Sequence, residues 1–170
     1  MAEIKDNLDI LEPSAGKGDL IKNISNCRIV AIEKNQVLSS ILKAQNKYST
    51  VLNIEFEEYK YGLFDRVIMN PPFSQRLDAK HIAKAFNEHL KICGVLVAIH
   101  SSSITSATDK YSKEFQSLCN KYMVERVNLD SGEFKESGKG TMVSSCITKL
   151  VKKENLEVEK VESKNQLELF

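Results

Sequence analysis

The sequence predicts an α/β sheet, because strand-like and helix-like segments alternate from end to end and the closing two strand-like segments carry the pattern of an antiparallel pair. LDILE (8–12) is a short apolar strand leading into PSAGKG and a helix from Asp19 to about Ser25. CRIVAIE (27–33), rich in β-branched residues, is the second strand. A helix follows over NQVLSSILKAQNK (35–47), with Val37, Ile41 and Leu42 on one face. TVLNI (50–54) is a weaker third strand, and RVIMN (66–70) a fourth that ends on an amide.

In the second half, Ile82, Phe86, Leu90 and Cys93 recur at helical spacing between Leu77 and Cys93, and Gly94 supplies the stop before the strand VLVAIH (95–100). Tyr111, Phe115, Leu118 and Tyr122 mark a further amphipathic helix behind the Ser/Thr-rich loop SSSITSATD. MVERVNL (123–129) and TMVSSCITKLVKK (141–153) form the antiparallel pair. The tail from Glu154, mostly Lys and Glu, reads as a solvated extension in which Leu167 to Phe170 are able to dock.

The length suits one domain. A chain of 170 residues builds one sizeable core, which gives a domain over 1–153 and a charged tail over 154–170. No apolar run approaches membrane-spanning length, so a soluble, cytoplasmic protein is expected. Cys27, Cys93, Cys119 and Cys146 lack CxxC spacing and sit beside apolar neighbours; buried free thiols are expected and no metal site. A net charge of +1 argues against a general grip on duplex nucleic acid, though not against local contacts.

Two stretches carry chemistry. EPSAGKG (12–18) lies at a strand-to-helix junction, where glycines let a ligand approach the backbone. Glu33, closing the next strand, is placed to accept both hydroxyls of a ribose. The pattern lacks the third glycine of a dinucleotide fingerprint and has no GKS or GKT, which excludes a P-loop. In VIMNPPFSQ (67–75), Pro71 and Pro72 fix two φ angles and remove two donors. Asn70 and Phe73 then flank a stiff corner able to hold a flat polar group; the plainer alternative is a strand terminator followed by a core phenylalanine.

LEPSAGKG followed by NPPF resembles the class I S-adenosylmethionine-dependent amino-methyltransferases, above all the adenine-specific (N6) DNA methyltransferases. The resemblance runs over nearly the whole chain. It implies a Rossmann-like, mostly parallel seven-stranded sheet with a final antiparallel hairpin and helices on both faces. It also implies an S-adenosyl-L-methionine site. Pro13, Ala15, Gly16 and Gly18 would form the loop beside the methionine part, with Glu12 near its amino group. Glu33 would hold the ribose, and Glu55 and Phe56 would meet the adenine. Glu55 is equally readable as a surface acid and Phe56 as core. Lys34 departs from the family, which has an apolar residue there; its alkyl stem could cover the base.

The same resemblance makes Asn70, Pro71, Pro72 and Phe73 the catalytic corner. An adenine amine is a poor nucleophile because its lone pair is delocalised. The Asn70 side-chain oxygen and the Pro71 carbonyl would accept its two N–H groups, with Phe73 stacking on the ring. Related NPPY or NPPF motifs serve RNA guanines and the glutamine amide of proteins, so RNA and protein substrates stay open beside DNA, as does a non-catalytic cofactor-binding subunit. A duplex base must be flipped out to be reached. With few residues outside the sheet pattern, a separate specificity subunit or domain is expected. The segment 101–110 and the loop 131–140, with Lys110, Lys135 and Lys139, are the local candidates for substrate contact. His81, His89 and His100 receive no catalytic role, the first two being expected at a solvent-facing edge.

Overall fold

In the computed structural model, which describes residues 1–129 and 144–154, β1 (Asp9–Glu12) lies inside a seven-stranded sheet. On one side stand β2 (Arg28–Ile32) and β3 (Thr50–Leu52), on the other β4 (Phe64–Met69) and β5 (Leu90–Ser101), all parallel. β7 (Ser145–Val151) pairs antiparallel with β5, and β6 (Met123–Leu129) antiparallel with β7. The order β3-β2-β1-β4-β5-β7-β6 is the Rossmann-like methyltransferase arrangement with its closing antiparallel strands.

The near-continuous apolar runs of the inner strands follow from burial on both faces. Leu11, Val67, Met69 and Leu96 pack with α2 (Leu77–His89) and α3 (Lys110–Tyr122) on one face. Ile10, Ile29, Ala31 and Ile68 pack on the other face, where α1 (Gln36–Ala44) contributes Leu42 and the segment after the glycine loop contributes Ile21. Phe64, Phe86 and Phe115 are fully buried, and truncating such a ring to alanine costs about 3–5 kcal/mol. Among the described residues no helix is long and apolar enough to cross a membrane.

Several elements differ from expectation. Residues 19–25 form no helix; Gly18, Ile21 and Ile24 donate in turn to carbonyls three residues back. Asn23, Ser25 and Asn26 favour turns over helix interiors, and two isoleucines add β-branching to a very short stretch. Ile21 is nonetheless fully buried, so the apolar positions were informative where the helical period was not. On α1, Val37 is 67% exposed and Ile41 is also exposed, leaving Leu42 to anchor the helix.

α2 ends at His89, four residues before Cys93. The Lys152 ammonium explains this stop: it donates to the carbonyls of Phe86, Asn87 and Leu90, a cation on the last turn that no local sequence signal announces. Cys93, at φ 61°, and Gly94 therefore belong to β5, where the register against β4 shifts between Phe64↔Leu90 and Arg66↔Val95. Cys93 is exposed on this bulge and Cys27 half-buried; only Cys119 and Cys146 are buried thiols.

A side chain on Gly94 would place its Cβ 2.7 Å from the Lys91 carbonyl oxygen. Gly94→Ala is therefore expected to destabilise the fold by about 1–3 kcal/mol, read as a lower urea midpoint at unchanged m-value.

Candidate functional site

The chain leaves β4 at Met69, and the Asn-Pro-Pro-Phe corner follows at the carboxyl end of the sheet. Pro71 is buried, Asn70 and Pro72 are exposed and Phe73 is half-exposed. Two left-handed residues, Gln75 (φ 54°) and Arg76 (φ 59°), then turn the backbone sharply into α2.

A buried carboxylate fixes this turn. Asp78 is 0% exposed; one oxygen accepts from the Ala79 amide at 3.0 Å and the other from the Ser101 amide at 3.0 Å. The first bond satisfies a free donor of the helix amino terminus, and the second ties that terminus to the end of β5. Burial pushes the Asp78 carboxyl above the ordinary carboxylate range, against the pull of its amide donors. Arg76 adds a second tie: it donates to Ser103 Oγ and lies 3.3 Å from Asp109. Within the segment 101–110, a candidate for substrate contact, residues 102–106 form a turn that buries Ile104, held also by Gln116 to the carbonyls of Ile104 and Ala107, and Lys110 is the first residue of α3.

The glycine loop is tied to the next strand by Glu33. Its Oε2 accepts from Gly16 N at 2.8 Å and its Oε1 from Asn35 N at 2.7 Å, while the Ala15 amide donates to the Ile32 carbonyl. Each carboxylate oxygen retains a lone pair for a ligand. Gly16 (φ 57°) has open space where a side chain would stand; Gly18 (φ 85°) would drive a Cβ into Tyr48 and Leu42, so the second glycine is required by packing as well.

Between these elements a cleft of about 260 Å³ opens at the carboxyl ends of the central strands, where the connections diverge and ligands of such sheets bind. Its walls are Pro13 and Ser14, Glu33 and Lys34, the segment Ile54–Glu57, Asn70 and Pro72, and Leu77 and His81 on α2. The structure thus brings Pro13, Glu33, Lys34, Glu55, Phe56, Asn70 and Pro72 together. Glu12, Ala15, Gly16, Gly18, Pro71 and Phe73 stand behind or beside the lining rather than on it. Lys34 pairs with Glu55 at 3.4 Å on the exposed side of the cleft. The candidates Lys135 and Lys139 and their loop lie outside the described residues.

Sequence reasoning missed Asp78, Glu57 and His81. His81 and His89, expected at a solvent edge, are buried, because the residues after β3 fold onto α2: Phe56 meets His81 edge-on at 5.3 Å and Tyr59 packs on His89 at 5.1 Å. His81 recurs one turn after the apolar Leu77, which was the available signal. His100 is also buried, bonded to Thr148 Oγ1 and the Ser101 carbonyl, and desolvation lowers its imidazole to about 4. Among the described residues no group of three or more His, Cys, Asp or Glu is placed to hold a metal ion.

No protein-family model and no curated protein sequence matches the chain. Solved structures do. A candidate class I S-adenosylmethionine-dependent methyltransferase from Listeria monocytogenes superposes with a TM-score of 0.68 at 16% identity, over 89% of this chain and 55% of that one. A modification subunit of a candidate type I restriction enzyme from Vibrio vulnificus gives 0.66 at 13% identity, over 85% and 40%. A dimethyladenosine transferase from Plasmodium falciparum gives 0.64 at 18% identity, over 88% and 57%. This chain spans roughly half the length of each, and at these identities the likeness establishes the methyltransferase fold.

Glu12 offers a direct test of the site's electrostatics. It is 1% exposed, its Oε2 has no hydrogen-bond partner, and burial, with Asp19 and Glu33 adding negative charge, raises its carboxyl to about 8 from an ordinary 4.5. Between those two values the folded state holds a proton that the unfolded state has lost, so stability falls as pH rises, by up to roughly 1.4 kcal/mol per pH unit from this group. Urea midpoints measured from pH 5 to pH 8.5 are expected to decline more steeply for the wild type than for Glu12→Gln.

Proposed function

We propose that this chain transfers a methyl group from S-adenosylmethionine to an exocyclic amine, with N6 of adenine in DNA as the acceptor. The carrying observation is that one cleft presents the Asn70–Pro72 corner on one wall and the Glu33–Lys34 and Glu55–Phe56 pairs on the other.

The residues present suit the cofactor. Open space beside Gly16 admits a ligand against the backbone, the lone pairs of Glu33 suit a diol, and the unpartnered Glu12 oxygen suits an ammonium group brought near it. When bound, the cofactor supplies an electrophilic methyl group on a sulfonium. The chain's own task is to present a nucleophile. The Asn70 side-chain oxygen and the Pro71 carbonyl each accept one N–H of the amine, which localises the nitrogen lone pair and aims it into the cleft. Pro71 and Pro72 hold these acceptors rigid, so little reorganisation is required during reaction. The half-exposed Phe73 ring offers a stacking surface to the acceptor base, worth about 1–3 kcal/mol. The Vibrio and Plasmodium neighbours, a restriction-enzyme modification subunit and a dimethyladenosine transferase, support an adenine acceptor in nucleic acid. A net charge of +1 supports duplex recognition by a partner subunit or further domain.

The test is incubation with labelled cofactor and, separately, DNA, ribosomal RNA and a release factor, followed by mass spectrometry of the modified unit. N6-methyladenine from the DNA arm is expected; label confined to RNA or to a glutamine amide would reassign the acceptor. Asn70→Ala is expected to lower transfer by about 10²-fold or more while the protein stays folded. Undiminished transfer by that variant would remove the corner from the chemistry.

A further inference from the structure

His81 is 4% exposed and lines the cleft; its Nε2 faces the Glu57 carboxylate at 3.1 Å, while its Nδ1 has no hydrogen-bond partner among the described residues. Leaving a buried polar atom unpaired is destabilising, and most such atoms in native proteins have a partner. Its neighbour Glu57 is half engaged: Oε1 lies 3.1 Å from His81 Nε2 and 3.4 Å from Lys80 Nζ, and Oε2 is buried with no partner. Burial works to raise the Glu57 carboxyl, and the proximity of His81 and Lys80 outweighs it, leaving the group below the usual carboxylate range. An ionised carboxylate beside Nε2 favours the tautomer protonated there, which leaves Nδ1 as an acceptor.

A plain core histidine is the competing explanation, and α2 supplies the comparison. His89, two turns on, is equally buried and its Nε2 is likewise without a partner among the described residues, but its Nδ1 is tied to the Gly62 carbonyl at 3.2 Å and it does not line the cleft. His81 instead stands among flat or apolar surfaces of Ile54, Phe56, Pro72 and Leu77, walls that suit a planar ring. Glu55, the acid that the family resemblance would set on such a ring's amine, has a half-exposed side chain and is engaged by Lys34 at 3.4 Å. A solvated, already paired carboxylate discriminates poorly, whereas a desolvated acceptor left unpaired by the wrong ligand discriminates well.

We propose that His81, oriented by Glu57, is the specificity determinant of the cleft, accepting the exocyclic N–H of an aminopurine such as the adenosyl group of the cofactor. The assignment rests on the methyltransferase reading above. It differs from that reading in making a buried imidazole, rather than the acid of the loop after β3, the group that tells adenine from its deaminated counterpart.

Titration calorimetry with S-adenosylhomocysteine and S-inosylhomocysteine, which carries a carbonyl oxygen in place of the amine, tests it. The wild type is expected to prefer the adenosyl ligand about ten-fold or more. His81→Phe, which keeps the ring volume, should bring the two affinities within about two-fold, and His81→Gln, which keeps an acceptor, should retain most of the preference. Thermal unfolding of both variants establishes that they are folded, and His81→Leu replaces the phenylalanine variant if that ring overpacks. A preference undiminished in the apolar variant, or no preference in the wild type, overturns this assignment alone. Failure of the wild type to bind either ligand overturns the methyltransferase reading and this assignment with it.

Discussion

Asp78 has no contact with solvent, yet its two oxygens determine where the reactive corner stands. One accepts from the first turn of α2 and the other from the amide that ends β5, so the corner between β4 and α2 is pinned to the neighbouring strand. Two left-handed residues and two prolines stiffen the remainder. A buried carboxylate with amide donors is costly to break and hard to move, since losing one donor leaves a desolvated charge unpaired. Under the proposed function, rigidity matters because an amine acceptor would demand positioning, not proton transfer, of Asn70 and Pro71.

The opposite wall is held by related means. Glu33, just past the end of β2, reaches back to the Gly16 amide, while Asn53 donates to the carbonyls of Glu33 and Lys34 from beyond β3. The glycine loop, the end of β2 and the segment after β3 are therefore tied to one another. The cleft between the two walls is lined by His81 and Glu57, whose Nδ1 and Oε2 have no partner among the described residues. Glu12, just behind the loop, adds a third unpaired oxygen. Of the buried side-chain atoms without a hydrogen-bond partner among the described residues, those of Glu12, Glu57 and His81 gather at this end of the sheet, while Ser39 Oγ and His89 Nε2 lie outside the cleft lining.

Much of this was legible in the chain itself. Alternating apolar segments gave the sheet its strands, and the pairing of EPSAG with NPPF marked the two loops that frame the cleft, because glycine and proline act on the backbone locally and at fixed offsets. Residues 19–25 misled because apolar spacing there is shared by a helix and by a chain of tight turns. The helix over 77–93 was drawn too long because its stop is made by Lys152, distant in sequence, and not by Gly94.

The succession of strands along the chain, the stiff proline corner and the glycine turn of Gly16 follow from the sequence, since each depends on residues close along the chain, whereas the order of the strands in the sheet depends on distant pairings. The burial of Asp78, the inward turn of His81 and the pairing of Lys34 with Glu55 were decided by tertiary structure alone. A polar residue on a helix carries no local sign of what will pack over it: Ser101 reaches Asp78 from the end of another strand, and Phe56 closes over His81 from a loop on the far side of the sheet order. Whether such a group is solvated or stranded depends on those contacts, and the energies that make it functional arise only once water is removed.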